Sequence, residues 1–294
     1  MDNQQLNPLR IVLLGAGRVA AHLGPALAGA GHAVVGVWSR TAESAEALAG
    51  RLPAGAIVAS SLAGLPEADV YLLTLPDAVV PEVLAAARFP AGALVAHTAG
   101  ALPLAVFAPY KERLRGGVFY PLQTFGPGRA IAWDAVPLCL EATDAAALAT
   151  LHRLAASLSL DVRELDSARR LQLHVAAVWV SNFPNHLLGI GRELLAGAGL
   201  PWELLHPLIR ETVDKALAQP PFEAQTGPAV RHDAATLARH ETALAGQPRW
   251  QQLYQQLTAS IQATAVQATT VPVAGGPHGG GEEPVPGPAN NGPR

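Results

Sequence analysis

"RIVLLGAGRVA", residues 10–20, decides how the rest of the chain is read. Arg10 to Leu14 is a short apolar run without polar alternation, the pattern of a strand covered on both faces. It leads directly into Gly15-Ala16-Gly17-Arg18-Val19-Ala20, which matches G-x-G-x-x-G/A. Gly15 permits a tight turn, Gly17 lets backbone approach a pyrophosphate, and Ala20 permits close packing of helix on strand. The helix that opens there offers free N–H groups to phosphates. Alanine- and glycine-rich chains also produce this pattern by chance, as an ordinary βα turn. Its place between a strand and a helix favours dinucleotide binding.

The second strand, Ala33–Ser39, supports a particular dinucleotide. It ends in "WSRT", residues 38–41. About 20 residues beyond such a turn, an acid commonly holds the ribose 2′-hydroxyl of NAD, whereas an arginine accommodates the 2′-phosphate of NADP. Ser39, Arg40 and Thr41 stand there instead of an acid, and all can donate to a phosphate. NADP is therefore expected over NAD. The alternative is that Arg40 is a solvated charge and Thr41 only a helix cap.

The remaining strand candidates are Ala56–Ala59, Val70–Leu75, Leu94–Ala96, Gly117–Tyr120 and Val136–Leu140. Helical stretches lie between most of them, among them Thr41–Leu52, Ala78–Arg88 and Asp144–Leu158. This alternation predicts an α/β fold: a doubly wound parallel (Rossmann) sheet over residues 1–165. Strand signals stop near Asp166. Ser167–Gly199, Pro201–Ala218 and Ala229–Ala265 read as helices, so an all-helical substrate or dimerisation domain is expected over 166–266. Residues 267–294 are rich in Pro and Gly and too poor in apolar surface to repay ordering, which predicts a disordered tail.

Composition narrows the function classes. The chain has 294 residues, half of them hydrophobic, so a large core can form. A net charge of -3 without a basic run argues against nucleic acid and anionic membrane surfaces as partners. The single cysteine, Cys139, excludes an internal disulfide and fits a cytoplasmic setting. The N-terminus lacks a signal-peptide layout. The charge-free stretches Val19–Ser39 and Leu171–Gly191 contain His, Asn, Pro or Gly and do not read as membrane spans. No metal-ligand spacing and no G-x-S-x-G motif is present, so neither metal chemistry nor a serine nucleophile is expected.

"GAGRVA" with "WSRT", then "LLTLPDAVV", "VAHTAGA", "FYPLQTF", "VSNFPNHLL" and "TGPAVRHD", spread over residues 10–245, resemble bacterial Rossmann-like proteins with a C-terminal helical domain of unknown function. More distant relatives are pyrroline-5-carboxylate reductases, β-hydroxyacid dehydrogenases and deazaflavin-dependent NADP reductases. The resemblance implies NADP(H) binding and oxidoreductase activity, without naming a substrate. Where the family pattern has "HTSG", this chain has Ala99, which removes a hydroxyl. The lysine that β-hydroxyacid dehydrogenases place on the first helix after the nucleotide domain has no counterpart here.

Candidate chemistry follows from position. Leu75 and Pro76 close the fourth strand and should neighbour the nicotinamide, with Thr74 beside them; Asp77 reads as a helix cap. On the long helix, His174, Ser181, Asn182, Asn185 and His186 fall within an arc of about 140° at 100° per residue. That arc carries no Lys or Glu, so it is expected to be buried against something polar, either a substrate or a polar interface. Pro184 is expected to kink the helix. Asn182 and His186 are therefore the first candidates to orient and protonate a substrate. His97, at a strand end and readable equally as a capping or core histidine, and Arg231, suited to a carboxylate or equally to an ion pair with Asp233, are the next. Tyr120 and Phe125 read as packing, and Gln123 and Thr124 as cleft residues. The expected reaction is hydride transfer to or from a small carbonyl, imine or hydroxy substrate in an interdomain cleft of a homodimer. The rival is a non-catalytic NADP-binding sensor or interaction protein.

Overall fold

The computed structural model describes residues 8–53 and 55–270. The chain divides into two compact units, Met1–Leu187 and Leu188–Arg294.

The first unit is built on an eight-stranded sheet in the order β3-β2-β1-β4-β5-β6-β7-β8. The strands are β1 (Arg10–Leu14), β2 (Ala33–Trp38), β3 (Ile57–Val58), β4 (Val70–Leu73), β5 (Ala93–His97), β6 (Leu114–Pro121), β7 (Leu138–Ala142) and β8 (Val162–Glu164). Helices α1 (Arg18–Gly29), α2 (Ala42–Ala49), α3 (Val80–Ala86) and α4 (Ala145–Ala156) connect them. The run in β1 lacks alternation because both faces are covered. Ile11 and Leu13 pack into one core with Leu23 and Leu27 of α1 and Leu151 and Leu154 of α4. Val12 and Leu14 pack into the other with Leu73, Val83 and Phe107. The strand order reverses between β1 and β4, which run parallel, and this is the kind of switch point outside whose carboxyl strand ends ligands bind.

The sheet corrects several expectations. It is parallel except where β7 runs antiparallel to β6, from Pro121↔Leu138 to Gly117↔Ala142. β8 carries a single apolar residue, Val162, and is too short and polar to stand out in the sequence. The Ala78–Arg88 stretch forms a 3-10 turn, Asp77–Val79, followed by α3. Asp77 makes no capping hydrogen bond there. Asp144, by contrast, caps α4 by accepting from the Ala147 N–H at 2.8 Å.

The helical stretch from 167 begins within the first unit. It comprises α5 (Ser167–Ala177), a π-helical segment (Val178–Asn182) and α6 (Phe183–Gly197). The widened turns lie immediately before Pro184. That residue has no N–H for the Val180 carbonyl and its ring crowds it, and a π turn relieves both. The expected kink therefore takes the form of a π segment ahead of the proline.

The second unit holds the rest of α6, then α7 (His206–Ala218), α8 (Ala234–Ala243) and α9 (Pro248–Thr270). Asp233 caps α8 by accepting from the Thr236 N–H at 3.1 Å. His240 of α8 and Tyr254 of α9 are hydrogen-bonded at 2.8 Å. Ala229–Ala265 is thus two helices rather than one. Residues 267–270 of the expected tail continue α9, and 271–294 lie outside the described residues. No described helix is long and apolar enough to cross a membrane.

Candidate functional site

The turn after β1 is tied down from two sides. The Gly15 N–H donates to the Trp38 carbonyl at 2.7 Å. The Thr74 hydroxyl donates to the Gly15 carbonyl at 2.9 Å. Gly15 has φ +113°, and a Cβ there would lie 2.4 Å from the Thr74 carbonyl oxygen, so only glycine fits. At Gly17 a Cβ would meet nothing within 4 Å, which leaves open space above the backbone. Gly17 is also the N-cap of α1, with no side-chain capping bond and no acid in the first turn. The N–H groups of that turn are therefore free for an anion, and the turn fits a pyrophosphate. Ala20, on the inner face of α1, is fully buried. Ser39 is half-buried and Arg40 and Thr41 are exposed beyond the end of β2. Thr41 occupies the N-cap position of α2, but its hydroxyl donates to Ser44 Oγ at 2.8 Å. Among the described residues Arg40 forms no ion pair, which leaves its guanidinium available to a phosphate.

From this turn a cavity of about 770 Å³ extends along the carboxyl ends of the strands. Its size suits a small-molecule site. Gly17, Arg18 and Val19 border it at one end. Thr74–Asp77 and Thr98–Gly100 line its middle, and Leu122–Phe125 after β6 lie along it. The far wall is helical and includes Leu173, His174, Val178, Ser181 and Asn182. All of these residues belong to the first unit.

Two histidines take different parts in this region. His97 is fully buried beneath the cavity floor, its ring stacked on Phe107 at 5.9 Å. Its Nδ1 accepts from the Ala99 N–H at 3.2 Å, and its Nε2 has no partner. Burial, reinforced by the nearby Arg170 charge, pushes its pKa down to about 3. His97 is thus a neutral support for the Thr98–Gly100 segment. His174 lines the cavity, and its Nδ1 is hydrogen-bonded to the Tyr120 hydroxyl at 3.1 Å. Burial raises the Tyr120 pKa to about 12, so the phenol stays protonated.

The helical wall is anchored one turn before His174. Arg170 is 1% exposed although charged. It donates to Glu141 of β7 and to the Leu102 carbonyl. The Ser167 hydroxyl donates to the same Glu141 at 2.7 Å and accepts from the Leu104 N–H at 2.9 Å. Arg170 and His174 are four residues apart and share a helix face, so the anchored arginine fixes where the histidine stands.

The polar arc expected from sequence is divided. His174, Ser181 and Asn182 line the cavity, whereas Asn185 and His186 do not. A constant 100° step does not hold across the π segment, so residues beyond it leave the arc. The same effect brings Val180 into the cavity wall. Leu75 and Pro76 line the cavity as expected, and Asp77 joins them as an uncapping carboxylate. Arg231 is an exposed residue of the second unit, and Asp233 caps α8 rather than forming an ion pair with it. Sequence reasoning missed the functional placement of Tyr120, read as packing, and of Arg170, which no local pattern marks.

Residues 2–122 match the model of a Rossmann-like domain, and residues 136–261 that of a domain of unknown function, DUF2520. A "putative NADP oxidoreductase" from Bacteroides fragilis is 37% identical and aligns over 88% of this chain and 100% of its own, with a TM-score of 0.80. A Thermotoga maritima protein is 21% identical over 88% of this chain and 99% of its own, with a TM-score of 0.64. A reductive aminase from Aspergillus terreus, solved with NADPH and ethyl levulinate, is 16% identical over 89% of this chain and 95% of its own, with a TM-score of 0.66. The latter two likenesses are of fold alone. No curated protein matches the chain.

Proposed function

Because the chain belongs to the family that joins a Rossmann-like domain to the DUF2520 domain of unknown function, we propose that it is an NADP(H)-dependent oxidoreductase. Its reaction is hydride transfer to or from a small carbonyl, imine or hydroxy substrate. One observation carries this reading. A single cavity leads from a phosphate-ready helix N-terminus, past the carboxyl ends of β4 and β5, to a wall that presents an imidazole and an amide. The "putative NADP oxidoreductase" of Bacteroides fragilis supports it at 37% identity, and the NADPH-bound reductive aminase shares the fold.

In this reading Gly15–Ala20 holds the pyrophosphate, and Ser39, Arg40 and Thr41 receive the 2′-phosphate. Leu75, Pro76 and Thr98–Gly100 border the nicotinamide, which when bound supplies or accepts the hydride. Asn182 orients the substrate heteroatom through its amide. Val178 and Leu122 exclude water around the reacting carbon, which strengthens each polar contact there. His97 is assigned a supporting role, because a sealed, neutral ring cannot reach substrate.

The protein is further proposed to act as a homodimer in the cytoplasm. Leu171, Val175, Trp179, Phe183 and Leu187 are exposed at steps of four along α5, the π segment and α6. Trp179 is 62% exposed and Val180 78%. Such a row favours a self-complementary contact with a second copy.

Titration with NADPH and NADH, followed by NADPH oxidation across ketones and cyclic imines, tests the function. Tight NADPH binding with turnover of at least one compound is expected. Binding without turnover of any compound would favour a sensor, and absence of binding would remove the reading altogether. Sedimentation tests the dimer.

A further inference from the structure

We infer that His174, held through its Nδ1 by the Tyr120 hydroxyl, is the acid–base group that exchanges a proton with the substrate heteroatom. This inference rests on the hydride-transfer reading and assigns the proton half of that reaction.

Three independent observations converge on the pair. First, both rings line the cavity beside the Thr98–Gly100 segment, where the nicotinamide is placed. Second, the Tyr120–His174 hydrogen bond consumes Nδ1, while Nε2 has no protein partner among the described residues and is not sealed in the interior. An imidazole with one nitrogen oriented by a neighbour and the other free toward a cavity has the geometry of a general acid or base. Third, the backbone makes room for it. A Cβ at Gly100 would lie 2.5 Å from His174 Nδ1 and 2.9 Å from Tyr120 Cζ. Gly100 has ordinary backbone angles, so the missing side chain serves the approach of the two rings rather than a turn.

The surroundings suit proton exchange. Arg170, one turn before His174, is committed to Glu141, and His97 below is neutral. Asp77 and Arg18 are the other charged groups lining the cavity. Tyr120, whose phenol keeps its proton, holds the ring and is a positioning residue rather than the proton source.

In the reductive direction the substrate carbon takes hydride from NADPH, and the C=O or neutral C=N π pair moves onto the heteroatom. That atom binds the proton leaving Nε2 of the imidazolium. The ring keeps its Nδ1 proton, hydrogen-bonded to the Tyr120 oxygen, and regains an Nε2 proton from solvent. Each turnover thus consumes one solvent proton and leaves NADP⁺. In the oxidative direction Nε2 accepts the hydroxyl or amine proton. A preformed N-alkyl iminium needs no proton, because hydride neutralises its charge directly.

That difference provides the test. Wild type, His174→Gln, Tyr120→Phe and Gly100→Ala are assayed with a panel of ketones and with N-methyl cyclic iminium salts. NADPH affinity and melting temperature are measured alongside. His174→Gln is expected to lower ketone reduction by about 10²- to 10⁴-fold while sparing iminium reduction. Tyr120→Phe and Gly100→Ala are expected to lower ketone reduction by roughly tenfold or less, the scale of one orienting hydrogen bond. In the Tyr120→Phe background, Gly100→Ala should add little. Independently of activity, ¹⁵N NMR of labelled histidine should show Tyr120→Phe shifting the His174 Nδ1 resonance. An unmoved resonance overturns the pair. Ketone reduction that survives His174→Gln, or equal losses on ketone and iminium, overturns the proton role and leaves the hydride reading intact. A wild type that binds NADPH but reduces nothing overturns both.

Discussion

The glycine turn at Gly15–Ala20 and the helical wall from Leu173 to Asn182 border one cavity but are held in different ways. Successive residues and the ends of the two neighbouring strands fix the turn: a left-handed glycine, a free helix start, the Trp38 carbonyl and the Thr74 hydroxyl. The wall depends on contacts from far along the chain. Arg170 reaches Glu141 and Leu102, and His174 reaches Tyr120. The turn can therefore be read from a few letters of sequence, while the wall needs the whole sheet to be in place.

Breaking the anchor of the wall should have the largest effect. Arg170→Leu leaves the half-buried Glu141 without its cation, which typically costs about 3–5 kcal/mol. Thermal melting should show it, and a change below about 1 kcal/mol would mean that α5 is held by something else. The turn should respond somewhat less. Gly15→Ala forces a side chain into a left-handed conformation and against the Thr74 carbonyl, for roughly 2–4 kcal/mol. The two variants should also differ in kind. Gly15→Ala should destroy NADPH binding even where the protein remains folded, whereas Arg170→Leu should weaken the wall before the turn.

The specificity of the turn sharpens the comparison. Arg40→Ala should weaken NADPH by roughly 1.5–3 kcal/mol through the loss of a charge-assisted contact. NADH should be unaffected in calorimetric titration. Equal weakening of both cofactors would contradict the 2′-phosphate role.

The segment between the two regions gives the smallest effect per step. Unfolded, His97 binds a proton below its ordinary value of 6.5; folded, burial delays this to about 3. Between those values the unfolded chain holds more protons. Stability from this group is therefore fully present above pH 6.5 and is lost as pH falls toward 3, by up to about 1.4 kcal/mol per pH unit. Denaturant melts of wild type and His97→Leu between pH 4.5 and 7 should differ by that slope. Parallel curves would show that the ring is not protected from protonation.

Sequence reading followed the same division. β1, the glycine turn, β2 and the SRT segment were legible because strand, turn and helix signals lie side by side. The reversal of β7 was not, since it is set by the connection from β6, which holds only a 3-10 turn at Trp133–Ala135 and no helix to carry the chain back for a parallel return. Asn182 could be placed on the wall by helical arithmetic, but His186 could not, because the π segment before Pro184 breaks the 100° step. Tyr120 looked like packing because its partner lies on α5. Arg170 carried no signal at all, because a buried arginine is defined by the carboxylate it meets.

Deuterium transfer tests the central claim most directly. Stereospecifically 4-deuterated NADPH of each hand is incubated with the protein and the ketone and imine panel, and products are analysed by mass spectrometry. One of the two labelled cofactors is expected to deliver a single deuterium to the former carbonyl or imine carbon. NADPH that binds in the cavity while no product acquires deuterium from either label would contradict it.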